Sequence, residues 1–161
     1  MSYRNKTYVC FDADTDINYY NLMTGWKESK HIDFNFHNAD DLKKICDDSS
    51  EETIKSKLRE RMNNCTALIV LIGQITKNVQ KFVSWEQDIA IEMGMPIIAV
   101  NLNGKNERDS DLCPTVIKNE LAIHIPFGLK KIQYALDNWP SSHFQNKFEG
   151  KTGPYHYNES I

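Results

Sequence analysis

The chain has 161 residues, 40% of them apolar and 25% charged, with a formal charge of -3 at pH 7. That is the composition of an ordinary globular domain long enough to bury a core, and its acidic balance leaves no electrostatic footprint for a nucleic-acid partner. The longest apolar run, Ala67 to Ile72, is far too short to cross a bilayer, and the N-terminal MSYRNK has no apolar signal core, so the cytosol is the expected compartment and no membrane partner is expected.

Apolar segments alternate with amphipathic ones, as in a parallel sheet with crossover helices. TYVCF (Thr7 to Phe11) predicts the first strand, Asn18 to Lys27 a helix carrying Tyr19, Tyr20, Leu22, Met23 and Trp26, and DFNFH (Asp33 to His37) a short second strand. SSEETIKSKLRERMNNC has capping serines, early glutamates, late basic residues and Ile54, Leu58 and Met62 four apart, which predicts a helix. TALIVLIG is a continuous apolar run without polar alternation, the mark of a central strand buried on both faces. A helix follows. Its end is signalled by Gly94 and Pro96, and its start by either Ser84, with Gln87 as a capping box, or Asn78. PIIAVNLNG and LAIHIPF predict the next strands, and GLKKIQYALDNW (Gly128 to Trp139) a closing helix. Residues 1–139 therefore read as one domain, and Pro140 to Ile161 as a surface arm or loosely packed tail, too short for a second domain.

The expected fold class is α/β: a flavodoxin-like, doubly wound, mainly parallel five-stranded sheet with helices on both faces. Ligands of such sheets bind beyond the carboxyl ends of the strands. That edge collects FDADTD after the first strand, HNADD after the second and the opening of the helix after the third. On that helix Val79, Phe82, Val83, Ile89, Ala90 and Met93 form an apolar stripe, and Glu86 interrupts it. A carboxylate in the middle of a core face is either a buried acid satisfied by backbone amides or a lysine, or a catalytic group aimed at the pocket. Asp12, Asp14 and Asp16 resemble the acidic pocket of a receiver domain, but LIVLIG ends without the phosphate-accepting aspartate; capping by Asp14 or Asp16 ahead of Ile17 is the plainer reading. Cys10, Cys46, Cys65 and Cys113 are widely spaced, with neither a CxxC nor a histidine at ligand spacing, so reduced thiols are expected and no metal site.

Three segments, KTYVCFDADTD, NNCTALIVLIGQIT and above all FVSWEQDIAIEMGMPIIAVNLN, make the first two-thirds of the chain resemble the TIR-like family labelled MTH538 or DUF1863, which includes the ThsB-type sensors of bacterial Thoeris antiphage defence. The first loop differs from relatives, with Cys10, Phe11 and Asp12 in place of a Ser-Phe-His-type run. The resemblance implies an NAD glycohydrolase or ADP-ribosyl cyclase with Glu86 as the catalytic acid and Phe11, Asp12 and Trp85 beside the substrate; His37, after the second strand, is a further candidate contact. It implies no cofactor, with NAD as the substrate, and no metal. It also implies homo-oligomeric assembly on activation, and a cyclic ADP-ribose isomer read by a separate effector protein. Two other readings stand beside it. In a non-catalytic TIR-like interaction module Glu86 is structural, and in a nucleoside deoxyribosyltransferase-like enzyme the same sheet carries a glutamate nucleophile.

Overall fold

The computed structural model describes residues 6–29, 35–38, 49–74, 76 and 81–158. Along these residues the elements are β1 (Lys6–Cys10), α1 (Ala13–Glu28), β2 (Asn35–His37), α2 (Glu51–Met62), β3 (Cys65–Ile72), α3 (Lys81–Glu92), β4 (Ile97–Asn101), β5 (Ala122–Pro126), α4 (Leu129–Phe148) and β6 (Pro154–His156). The strands make one sheet in the order β2-β1-β3-β4-β5-β6, and every neighbouring pair is parallel. The first five follow the flavodoxin-like order, with the sheet growing outward in both directions from β1 and β3.

The fold class is as expected, with six strands where five were expected. The sixth comes from the tail: Pro154, Tyr155 and His156 pair with Ala122, Ile123 and His124 of β5. They cover an edge whose backbone groups would otherwise lack ladder partners. The closing helix also differs. It passes Trp139 and Pro140 and ends at Phe148, so the boundary drawn after Trp139 falls inside α4. A proline in a helix interior removes one hydrogen bond and crowds the preceding turn. Here Trp139 packs into the core layer with the strands and His143 Nε2 lies 3.2 Å from the Gly94 carbonyl, and packing of this kind supplies most helix stability.

Local signals set the helix starts. Asp12 caps α1 by accepting from the Asp14 amide at 3.2 Å, which corrects the expectation that Asp14 or Asp16 caps a helix ahead of Ile17. Both instead lie in the first turn, where the helix dipole favours negative charge. Ser50 caps α2 by accepting from the Thr53 amide at 3.2 Å. Ser84 is not a cap, because α3 already runs from Lys81; Asn78 lies outside the described residues. Gly94 adopts φ 69° after α3, the left-handed stop its position predicts.

Pleating sorts the core into two layers. Tyr8, Cys10, Leu68, Val70, Ile97 and Ala99 face Ile54, Leu58 and Met62 of α2 and Phe82, Val83, Trp85 and Ile89 of α3. Val9, Phe11, Ile69, Leu71, Ile98 and Ile123 face Met23 of α1 and Ile132, Leu136 and Trp139 of α4. Six successive β3 residues, Ala67 to Ile72, are buried, so the run without polar alternation is the strand covered on both faces. The long connection after β4 is tied down from within. Asn101 Nδ2 donates to the carbonyls of Lys105 (2.9 Å) and Glu107 (2.8 Å), and the buried Asp109 carboxylate accepts from the amides of Asp111 and Leu112 and from Asn103 Nδ2, each at 2.9 Å. Cys10, Cys65 and Cys113 are free thiols, and Cys46 lies outside the described residues.

Candidate active site

Helix α3 buries Phe82, Val83, Trp85, Ile89 and Ala90 at helical spacing, and Glu86 lies in the same stripe with 4% of its surface exposed. It occupies the second turn of α3 instead of the first, away from the strongest part of the helix dipole. Its carboxylate is turned onto β1, where the Tyr8 hydroxyl donates to Oε2 in a buried hydrogen bond spanning 78 residues of sequence. Tyr8 is fully buried. Burial, and then the Glu86 charge beside it, hold the Tyr8 phenol well above its ordinary value, so it stays protonated and able to donate. The same two causes, in the same order, push up the Cys10 thiol one pleat along β1. Cys10 Sγ donates weakly to the Val83 carbonyl at 3.8 Å. An acid, a phenol and a thiol thus meet between α3 and β1 beside a largely apolar cluster.

A second polar group gathers at the carboxyl ends of β1 and β3. Asp12 and Asp16 are 1% and 4% exposed. Burial, and then the charge of Asp12, raise the Asp16 carboxyl above its ordinary value. Asp16 fits only because residue 73 is glycine: a Cβ there would lie 2.4 Å from Asp16 Oδ2. The Gly73 amide donates to Thr76 Oγ1 at 2.8 Å, and that hydroxyl donates to the Leu71 carbonyl at 3.3 Å, which fixes the turn leaving β3.

The structure separates several residues that the sequence groups together. Phe11 leaves β1 on the α1 side of the sheet and stacks on Tyr20, with centroids 5.0 Å apart and an interplanar angle of 11°. Trp85 packs in the opposite layer, the one that holds Glu86. The two aromatics therefore belong to opposite layers of the core. Asp12 is at the sheet edge, where its cap of α1 accounts for Oδ1 while Oδ2 is buried without a hydrogen-bond partner. His37 pairs in register with Tyr8 but belongs to an edge strand; it lines a cavity of about 310 Å³ with Lys6, Thr24, Lys27, Glu28 and Phe36, none of which is a candidate residue. Partial burial, then Lys6, push its imidazole below the ordinary value.

Sequence reading missed Tyr8, Cys10 and Gly73 as members of these groups. For Tyr8 a signal was available: a phenol on the core side of a buried strand needs an acceptor, and Glu86 was the buried acceptor in search of a donor. Nothing local marks Gly73, whose role depends on where α1 lands. Among the described residues no group of three or more His, Cys, Asp or Glu side chains is arranged to hold a metal ion, and no helix is long and apolar enough to cross a membrane.

Comparison with known proteins places the chain in a family. One solved structure with a related outline is a 3-dehydroquinate dehydratase-like protein from Bifidobacterium longum, 12% identical over 88% of this chain and 98% of that one, with a TM-score of 0.42, a likeness too distant to bear on chemistry. The model of the Thoeris protein ThsB TIR-like domain matches residues 8–107, a span that runs from Tyr8 through Glu86 and the loop after β4. That match covers more than half of the 161 residues, and the chain belongs to the Thoeris ThsB TIR-like domain family.

Proposed function

We propose that this chain is a cytoplasmic NAD-processing enzyme in which Glu86 drives cleavage of the nicotinamide glycosidic bond, and that its product is a cyclic ADP-ribose isomer read by a separate effector. Family membership gives a role in Thoeris defence alongside other Thoeris components. The observation that carries the chemistry is the Glu86 carboxylate, buried on the core stripe of α3, held by the Tyr8 hydroxyl and lying inside the matched span.

Breaking the bond to nicotinamide leaves an oxocarbenium-like ribose, which a nearby carboxylate stabilises electrostatically or through a ribose hydroxyl. In a site with little water a fixed charge acts at close to full strength. If water is kept out, the adenine or a hydroxyl of the same dinucleotide attacks the ribose, and ring closure replaces hydrolysis. Asp12 at the sheet edge and Trp85 in the Glu86 layer are the remaining candidate contacts, whereas Phe11 acts through the packing of α1. Assembly into a homo-oligomer on activation completes the reading, with low turnover in dilute protein.

Incubating the protein with NAD and resolving the products by chromatography tests this directly. Glu86→Gln keeps shape and hydrogen bonding while removing the charge; we expect a folded variant with turnover reduced by roughly a hundredfold or more. Unchanged turnover in folded Glu86→Gln overturns the assignment. A filtrate that leaves the effector silent, while free ADP-ribose and nicotinamide account for all NAD consumed, overturns the cyclic product. A non-catalytic module is the second reading, favoured by the burial of Glu86 against Tyr8, and a folded, assembled protein that leaves NAD intact selects it.

A further inference from the structure

We propose that Tyr8 is the positioning residue for Glu86, its hydroxyl holding the carboxylate in one orientation against β1 and keeping it ready as an anion. The proposal rests on the reading of Glu86 as the acid that acts on NAD.

The case starts with rigidity. Tyr8 sits in the middle of β1, which is paired with β2 on one side and β3 on the other, so its backbone is fixed, and its fully buried ring is held by close packing. It is among the largest fully buried side chains of the protein. Glu86, by contrast, has a flexible side chain on a helix, and a carboxylate that must meet a short-lived ribose cation loses rate when its orientation is loose. A hydrogen bond from a strand to a helix removes that freedom.

The surroundings make the donor matter. The layer around Glu86 presents Ile54, Leu58 and Met62 from α2, Leu68 and Val70 from β3, and Phe82, Val83 and Ile89 from α3 itself, all apolar. Among the described residues, Tyr8 and Cys10 on β1 both feel the Glu86 charge, Cys65 of β3 lies near Tyr8, and Gln87 on α3 is polar but neutral. Cys10 keeps its proton, because burial and the Glu86 charge oppose a thiolate, so it adds no second negative charge. In apolar surroundings an ionised carboxylate depends on its donors, and removing one favours the protonated form. Phenylalanine at position 8 would keep the ring and delete the donor.

The test is Tyr8→Phe in the full chain, read in two independent ways. With NAD as substrate, the expected result is kcat lower by about tenfold with KM less affected, and an acid limb of the kcat–pH profile moved upward by about one pH unit. A purely structural phenol would lower stability and leave the acid limb in place. The second reading needs no turnover: in protein carrying 13C-labelled glutamate, the Glu86 signal is assigned by its loss in Glu86→Gln, and its titration midpoint is expected to be higher in Tyr8→Phe than in wild type. Wild-type protein that leaves NAD intact defeats the enzymatic reading, and the carboxylate titration still judges Tyr8. A folded Tyr8→Phe with an unmoved Glu86 midpoint, or with wild-type kcat and acid limb, overturns the proposal. If Tyr8→Phe does not fold, the 13Cζ resonance of Tyr8 in wild type and Glu86→Gln decides: movement supports the contact, and an unmoved resonance overturns it.

Discussion

Replacing Gly73 with alanine inserts one methyl group into the tightest approach at the carboxyl edge of the sheet. The new Cβ would meet Asp16 Oδ2 at 2.4 Å, Oδ1 at 2.7 Å and Cγ at 2.9 Å, all well inside contact distance. Relief is hard to find. Asp16 is a short side chain, 4% exposed, in the first turn of α1, and the Gly73 amide is tied to Thr76 Oγ1 at 2.8 Å, which resists movement on the other side. Overpacking of this kind costs about 1–3 kcal/mol, which in a chain of this size lowers Tm by roughly 2–12 °C. Urea unfolding of Gly73→Ala should show the loss as a lower midpoint at unchanged slope. In a double-mutant cycle with Asp16→Ala, most of the penalty should vanish, giving a coupling of about 1–3 kcal/mol. If Gly73→Ala lies within about 0.5 kcal/mol of wild type, or if the cycle is additive, Asp16 does not occupy that niche and the argument fails.

Two pH windows should be separable by urea midpoints measured across pH. The Asp109 carboxyl is held at about 2 against an ordinary 3.8, chiefly by the Leu112 amide and then by Asn103, the Asp111 amide and Lys105, with burial opposing. Its contribution is present above the unfolded value and lost as pH falls from about 4 to about 2; Asp109→Asn should flatten that window, worth about 2 kcal/mol, and an unchanged slope there would refute the loop anchor. His124 is fully buried with neither ring nitrogen bonded, and burial, then Arg108 and His156, lower it to about 4 against an ordinary 6.5. The unfolded chain takes up this proton first, so stability should fall by up to about 3 kcal/mol as pH drops from 6.5 to 4; His124→Leu should remove that slope, and a variant that keeps it would refute the assignment.

Much of the fold could be read from local pattern because local pattern is what makes it. A run such as TALIVLI survives only where both faces are covered, and Gly94 followed by Pro96 stops a helix by backbone sterics alone. The position of Glu86 on a core stripe follows from helical periodicity, which needs no knowledge of the rest of the chain. What it touches does not. Its partner Tyr8 is 78 residues away and reaches it only because β1 lies beneath α3. One step of pleating along β1 then sends Tyr8 and Cys10 to that layer and Phe11 to the other, so residues adjacent in sequence part company across the sheet. The sixth strand was illegible for a similar reason: Pro154 to His156 is too short to signal a strand by itself and becomes one because β5 offers it an open edge. Periodicity and turn chemistry act within a few residues and are written in the sequence. Register and layer are set by pairings across the whole chain, and in this protein they decided which side chains surround the acid.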